Sequence, residues 1–256
     1  MKYKIISCDL DGTLLDDNKE ISINTINKIN DLINQGYIFV IATGRPFTGT
    51  IRYLNLFNGN NPVILYNGSV IKLNNKTIIF SLNEESAKRI IDIINSMNGT
   101  YIYWCDEVPF VNRIDDYIND YVKISKVMPK IDNHDYHNVT KIIWFNEHDK
   151  LIKYEKELFN DILDINHFTS QPTYLEFVSN KASKAKALEY ICNELNIESN
   201  DVIAIGDGDN DLEMIKYAGF GVAMENGSIK IKESAKFITK SNNDEGVLKA
   251  LNEILK

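Results

Sequence analysis

Two short apolar runs in this chain stop abruptly at clusters of aspartate. Tyr3 to Cys8 runs into Asp9-Leu10-Asp11-Gly12-Thr13-Leu14, and Val202 to Ile205 runs into Gly206-Asp207-Gly208-Asp209-Asn210-Asp211. Largely apolar runs of this length mark strands buried on both faces of a parallel sheet. In open α/β sheets, ligands gather beyond the carboxyl ends of the strands. Several carboxylates placed there repel one another unless a cation or a shared proton relieves them. The pattern predicts an α/β chain whose two acidic loops converge on something positive.

The rest of the sequence supplies strands and helices in alternation. Ser22 is placed to cap a helix with the apolar stripe Ile23, Ile26, Ile29, Leu32 and Ile33, and Gly36 to stop it. Tyr37 to Ala42 and Pro62 to Leu65 read as further strands, with a helix opening at Pro46 between them. Val70 to Leu73 and Lys76 to Phe80 flank Asn74-Asn75, a hairpin signal. From about Asn83 the rhythm changes. A helix to Met97 is followed by strands at Thr100 to Trp104, Lys141 to Phe145 and Tyr174 to Val178, with a helical pattern around Lys150 to Phe159. At Ser183 the alternation resumes and continues to a final helix from about Asp244. Residues 1–82 and 183–256 are thus expected to form one α/β domain, with 83–182 inserted as an α+β domain.

Charge narrows the function. With 28 basic and 36 acidic side chains the net charge is 28 − 36 = −8, which disfavours a nucleic-acid partner or an anionic membrane surface. No apolar run approaches the roughly 20 residues that span a bilayer. Cys8, Cys105 and Cys192 lack paired spacing, so neither a disulfide framework nor a cysteine zinc site is expected. A cytoplasmic protein with reduced thiols is the expectation. His134, His137, His148 and His167 form no metal-ligand pattern and read as surface or structural.

Each acidic loop has a calcium-loop alternative. Asp9, Asp11 and Glu20 fall at calcium-loop positions 1, 3 and 12, but position 6 requires glycine and holds Leu14. Asp207, Asp209 and Asp211 repeat the mimicry, with Leu212 at the glycine position and Ala218 at the last ligand position. One hard cation such as Mg²⁺ shared by both loops is the simpler account. Thr43-Gly44-Arg45, after the second strand, offers a hydroxyl and backbone N–H groups suited to phosphate, or else a plain helix cap. Lys184, at the start of the helix after the insert, suits phosphate charge, or else a solvated surface.

Four motifs in order resemble those of the haloacid dehalogenase-like hydrolases: Asp9 to Leu14, Thr43 to Arg45, Ser183-Lys184-Ala185-Lys186-Ala187-Leu188, and Gly206 to Asp211. The insert between the second and third motifs, and Val222-Ala223-Met224-Glu225-Asn226-Gly227 after the fourth, resemble the Cof-type phosphatases. Ala185 departs from the glycine that often follows the lysine there, a change a helix start tolerates well. The resemblance implies a Rossmann-like parallel sheet with helices on both faces, capped by the insert, which would set substrate specificity. It also implies a Mg²⁺-dependent phosphatase acting on a small phosphorylated metabolite, such as a sugar phosphate or a phosphorylated cofactor. Asp9 would form an aspartyl-phosphate and Asp11 would serve as acid and base. Asp9, Asp11 (by its backbone carbonyl), Asp207 and Asp211 would serve the metal, and Leu10 N–H, Thr43, Gly44, Lys184 and Asn210 would bind the phosphoryl group. Tyr101, Tyr103, Trp104 and Asp106 either touch substrate or, as is commoner for aromatics in such a layer, fill the core. A sugar phosphomutase and a non-catalytic phosphate-ligand sensor are the rival readings.

Overall fold

The computed structural model describes residues 2–125, 127–132 and 135–255. Along the chain the elements are β1 (Ile5–Cys8), α1 (Ile23–Asn34), β2 (Ile38–Ala42), α2 (Phe47–Leu54), β3 (Val63–Leu65), β4 (Val70–Leu73), β5 (Lys76–Ile79), α3 (Glu84–Ser96), β6 (Thr100–Cys105), β7 (Val108–Val111), α4 (Asp116–Ser125) and β8 (Lys130–Ile131). They continue as β9 (Val139–Phe145), α5 (His148–Leu158), β10 (Ile165–Gln171), β11 (Tyr174–Ser179), α6 (Lys184–Leu195), β12 (Val202–Gly206), α7 (Leu212–Tyr217), β13 (Phe220–Ala223), α8 (Ile229–Ser234), β14 (Phe237–Ile238) and α9 (Gly246–Ile254).

The chain divides into two compact units: Met1–Arg45, Thr50–Ile78 and Ser183–Lys256 form the first, and Pro46–Gly49 with Ile79–Ala182 the second. An eight-stranded sheet, ordered β14-β13-β12-β1-β2-β3-β4-β5, runs through the first unit. From β14 to β3 the strands pair in parallel, and β4 turns back antiparallel on β3. Every residue of β1 and β12 is buried, as uninterrupted apolar runs require. Ser22 accepts a hydrogen bond from the Thr25 N–H, giving α1 its cap. The buried stripe of α1 is Thr25, Ile29 and Leu32, whereas Ile23 is 66% exposed. At 100° per residue Ile23 stands about 120° around the helix from Ile29, so the expected stripe began on the wrong residue. Asn74 and Asn75 adopt φ of 49° and 65°, the left-handed pair that a tight hairpin demands.

The second unit is a six-stranded sheet, ordered β10-β11-β9-β6-β7-β8, with antiparallel pairing except between β7 and β8. Strand alternation sends Tyr101, Tyr103 and Cys105 to one face, where they pack with Ile90, Ile91 and Ile94 of α3 and Leu151 of α5. Ile102, Val111, Ile143 and Phe145 form the other core with Ile118 and Tyr121 of α4. Tyr101, Tyr103 and Trp104 are all buried, and the first two donate their hydroxyls to Asp132 at 2.6 and 2.7 Å. They are core residues. No helix among the described residues is long and apolar enough to cross a membrane.

Candidate active site

The loop after β1 is pinned by its apolar members. The Asp9 N–H donates to the Ile205 carbonyl, and the N–H groups of Leu14 and Leu15 both donate to the Leu10 carbonyl. Leu10, Leu14 and Leu15 are buried, so the residues between them are held as a fixed turn. Gly12 makes that turn possible. Its φ is +77°, and a Cβ there would lie 2.5 Å from Asp207 Oδ2. Asp9 is buried and Asp11 is half-buried.

The loop after β12 is organised by Asp211, which is fully buried. Its Oδ2 accepts the N–H groups of Asp207 and Gly208 at 3.2 and 3.1 Å, closing the loop on itself as aspartate often does in turns. The sequence pattern places one helix over Asp209 to Tyr217. Instead a 3₁₀ turn spans Asp209–Asp211 before α7 begins at Leu212. That turn aims Asp211 inward, while Asp209 stays exposed, with Ser228 and Lys230 as partners.

The two loops meet at Lys184. Ser183 caps α6, and the buried Lys184 Nζ donates to Asp9 Oδ1 and Asp211 Oδ1, at 2.6 Å each. Asp207 Oδ1 accepts the Thr13 hydroxyl at 2.6 Å. Carboxylate oxygens of Asp9, Asp207 and Asp211 lie within 4.8 Å of one another. The surface reading of Lys184 is therefore excluded. Burial pushes the Asp9 carboxyl well above its ordinary value; Lys184 opposes that shift, and Asp211 and Asp207 reinforce it. Asp207 is raised too, again chiefly by burial, with the Thr13 hydroxyl opposing. Burial alone would lower the Lys184 ammonium, but Asp211 and Asp9 outweigh it and hold it above its usual range. Three carboxyl groups share this small volume with one ammonium. A compact, all-oxygen donor set of this kind fits a hard divalent cation.

Beside this cluster lies a polar ledge. Thr43 is buried and its Oγ1 accepts the Arg45 N–H at 3.1 Å. Asn67 donates its N–H to the Thr43 carbonyl, and its side-chain oxygen accepts the Asn210 amide at 3.0 Å. The Asn67 amide also lies against Gly44. Gly68, at φ +105°, brings this turn onto α6: a Cβ would sit 2.3 Å from the Ser183 carbonyl oxygen. Thr43, Gly44, Asn67 and Asn210 thus form one group. Asn67 was missed by the sequence reading; its signal is the Asn67-Gly68 pair after β3, since Asn tolerates the left-handed φ of 55° found there.

Arg45 was also missed as an individual residue. It forms a bidentate pair with Asp11, Nε to Oδ2 and Nη2 to Oδ1, both at 2.6 Å. Lys19 Nζ adds a bond to Oδ1 at 3.1 Å. Burial raises the Asp11 carboxyl, but Arg45 and then Lys19 outweigh it and hold it below the ordinary carboxylate range. To serve as an acid, as the resemblance implies, Asp11 has to take up a proton against these two cations.

A second group of possible ligand atoms, from Cys105, Asp106 and His137, also lies within 4.8 Å. The His137 ring nitrogens pair with Asp135 at 2.5 Å and Asp106 at 3.0 Å. His148 and His167 pair with the Pro172 carbonyl and Glu155, and His134 lies outside the described residues. Cys8, Cys105 and Cys192 are buried and free of disulfides.

The family model of the haloacid dehalogenase-like hydrolases matches residues 6–251. The chain is 31% identical to the protein YxeH of Bacillus subtilis, over 99% of this chain and 98% of that protein. It is 29% identical to the 5-amino-6-(5-phospho-D-ribitylamino)uracil phosphatase YitU of Bacillus subtilis, over 98% and 97%. A crystal structure of a haloacid dehalogenase-like hydrolase from Bacteroides thetaiotaomicron superposes with a TM-score of 0.89 at 31% identity, covering 99% of this chain and 100% of that one. The chain belongs to the haloacid dehalogenase-like hydrolases, among the Cof-type phosphatases, and is a phosphoric monoester hydrolase.

Proposed function

We propose that this phosphatase hydrolyses small phosphorylated metabolites through an aspartyl-phosphate on Asp9. The observation that carries the reading is the buried Asp9 carboxylate, held by Lys184 within a cluster completed by Asp207 and Asp211. Phosphate monoesters resist hydrolysis in water so strongly that accelerations reach about 10²¹-fold. Catalysis therefore calls for a placed nucleophile and neutralised charge. An Asp9 oxygen attacks phosphorus as the bond to the ester oxygen breaks, and Asp11, having taken up a proton from solvent in the substrate complex, passes it to that oxygen, releasing the alcohol. Asp11 then takes a proton from water, whose oxygen attacks phosphorus and breaks the bond to Asp9, releasing phosphate.

Asp9 and Asp207, supported by Asp211 and with the Asp11 backbone carbonyl, would hold Mg²⁺, which when bound draws negative charge from the phosphoryl oxygens. The Leu10 N–H, Thr43, Gly44, Lys184 and Asn210 would hold the transferring group, with Asn67 fixing Asn210. Residues 83–182 would act as the cap domain that selects the alcohol. The named activity of YitU, on a phosphorylated ribitylamino-uracil, supports a metabolite of that size and polarity. Release of p-nitrophenol from p-nitrophenyl phosphate, with Mg²⁺ and with EDTA, tests this in wild type and Asp9→Asn. Turnover is expected only with Mg²⁺ and Asp9 together; turnover in a clean, folded Asp9→Asn preparation removes Asp9 from the nucleophile role.

A further inference from the structure

Asp11 sits in a closed ring of contacts that no phosphate-binding role requires. Arg45 grips both carboxylate oxygens, and its guanidinium lies over the Tyr53 ring at 5.4 Å. The Tyr53 hydroxyl donates to the Lys19 carbonyl at 3.1 Å, and Lys19 Nζ returns to Asp11. Tyr53 is buried, whereas the Asp11 side chain is 39% exposed and that of Arg45 25%. An isolated exposed ion pair contributes little, but a bidentate fork within a network has defined geometry. Asp11 also follows Leu10, which is buried, by one residue, so its backbone is fixed while its side-chain rotation is left to the groups that hold it.

We propose that Arg45, seated on Tyr53, is the positioning residue for Asp11, holding one carboxyl oxygen so that the other, once it leaves the fork and is protonated, faces the leaving oxygen. This rests on the reading of Asp11 as proton donor. Proton transfer needs hydrogen-bond reach in the reacting complex, and misplacement by about 1 Å costs on the order of 100-fold. Lysine cannot replace the fork, since a point charge leaves the carboxylate free to turn.

Two esters of similar shape separate positioning from phosphate binding. Phenyl phosphate must expel an oxygen of tyrosine-like basicity, with a pKa of about 10, and needs a proton; 2,4-dinitrophenyl phosphate does not. Measured as kcat/KM, both report only steps through departure of the alcohol, so the role of Asp11 in the second half-reaction drops out. Arg45→Met is expected to lower kcat/KM for phenyl phosphate about ten- to a hundredfold more than for the dinitrophenyl ester, with Arg45→Lys between it and wild type. Tyr53→Leu is expected to give the same split, smaller. Asp11→Asn sets the ceiling, at about 10²–10⁴-fold. Equal losses on both esters, or no loss on either, overturn the role of Arg45 when Asp11→Asn does discriminate. If Asp11→Asn fails to discriminate, the reading of Asp11 falls and takes this inference with it.

Discussion

The molecule carries two clusters of possible ligand atoms, each drawn within 4.8 Å, and they differ in what balances their charge. Asp9, Asp207 and Asp211 stand at the carboxyl ends of two central strands, where the single ammonium of Lys184 bonds Asp9 and Asp211 and Asp207 takes the Thr13 hydroxyl, which leaves the cluster short of positive charge. Cys105, Asp106 and His137 stand at the rim of the second unit. There an exposed imidazole takes both Asp135 and Asp106 as partners, and the thiol donates to the His137 carbonyl. The number of carboxylates is therefore a poor guide to a site. Burial makes unbalanced charge expensive, so an unbalanced buried cluster persists where a ligand or a reaction makes use of it. The exposed cluster has water for the same purpose.

Removing the cation from the buried cluster gives the largest expected effect. Lys184→Met leaves Asp9 and Asp211 facing each other without their shared donor. Breaking a buried ion pair from one side costs about 3–5 kcal/mol, so urea unfolding is expected to show a loss of that order together with loss of phosphatase turnover. A variant as stable as wild type would show that the carboxylates are relieved by something other than Lys184, and the contrast between the clusters would lose its basis.

Next comes the turn that brings the loops together. Gly12→Ala introduces a Cβ 2.5 Å from Asp207 Oδ2 at a φ of +77°. A displacement of about 1 Å at the carboxylate is expected to lower kcat/KM on the order of 100-fold. The strained backbone adds a stability loss of about 1–3 kcal/mol. Activity near that of wild type would mean that Asp207 can move without consequence, and that its close approach to Gly12 is incidental.

These positions also show what was legible in the sequence. The acidic loops were readable because buried parallel strands announce themselves as apolar runs, and the residues that follow such strands stand where ligands bind. Lys184 taken alone was not, since nothing local distinguishes a buried lysine at a helix start from a solvated one; its partners lie 175 and 27 residues away in sequence. Asn67 and the Arg45 fork were lost for the same reason, being defined by contacts with Asn210 and Asp11. In the second unit β10 escaped because it is an edge strand, and Ile165–Gln171 carries Asn, His, Thr, Ser and Gln instead of an apolar run. The two-residue strands β8 and β14 are too short to show a period.

The exposed cluster should give the smallest effect, and its sign is fixed by His137. Asp135 chiefly, with Asp106 adding to it, raises its pKa above the ordinary 6.5 against the opposing effect of desolvation. A raised folded-state value means that the stability it contributes is fully present below pH 6.5 and disappears as pH climbs through the raised value. His137→Gln is therefore expected to melt slightly below wild type at about pH 5.5 and together with it at about pH 8.5. The difference should shrink in high salt, since the pair is exposed to solvent. Phosphatase turnover should not change at either pH. A melting difference that grows with pH would reverse the assigned charge, and a loss of turnover would give this rim a part in the chemistry that its exposure to solvent argues against.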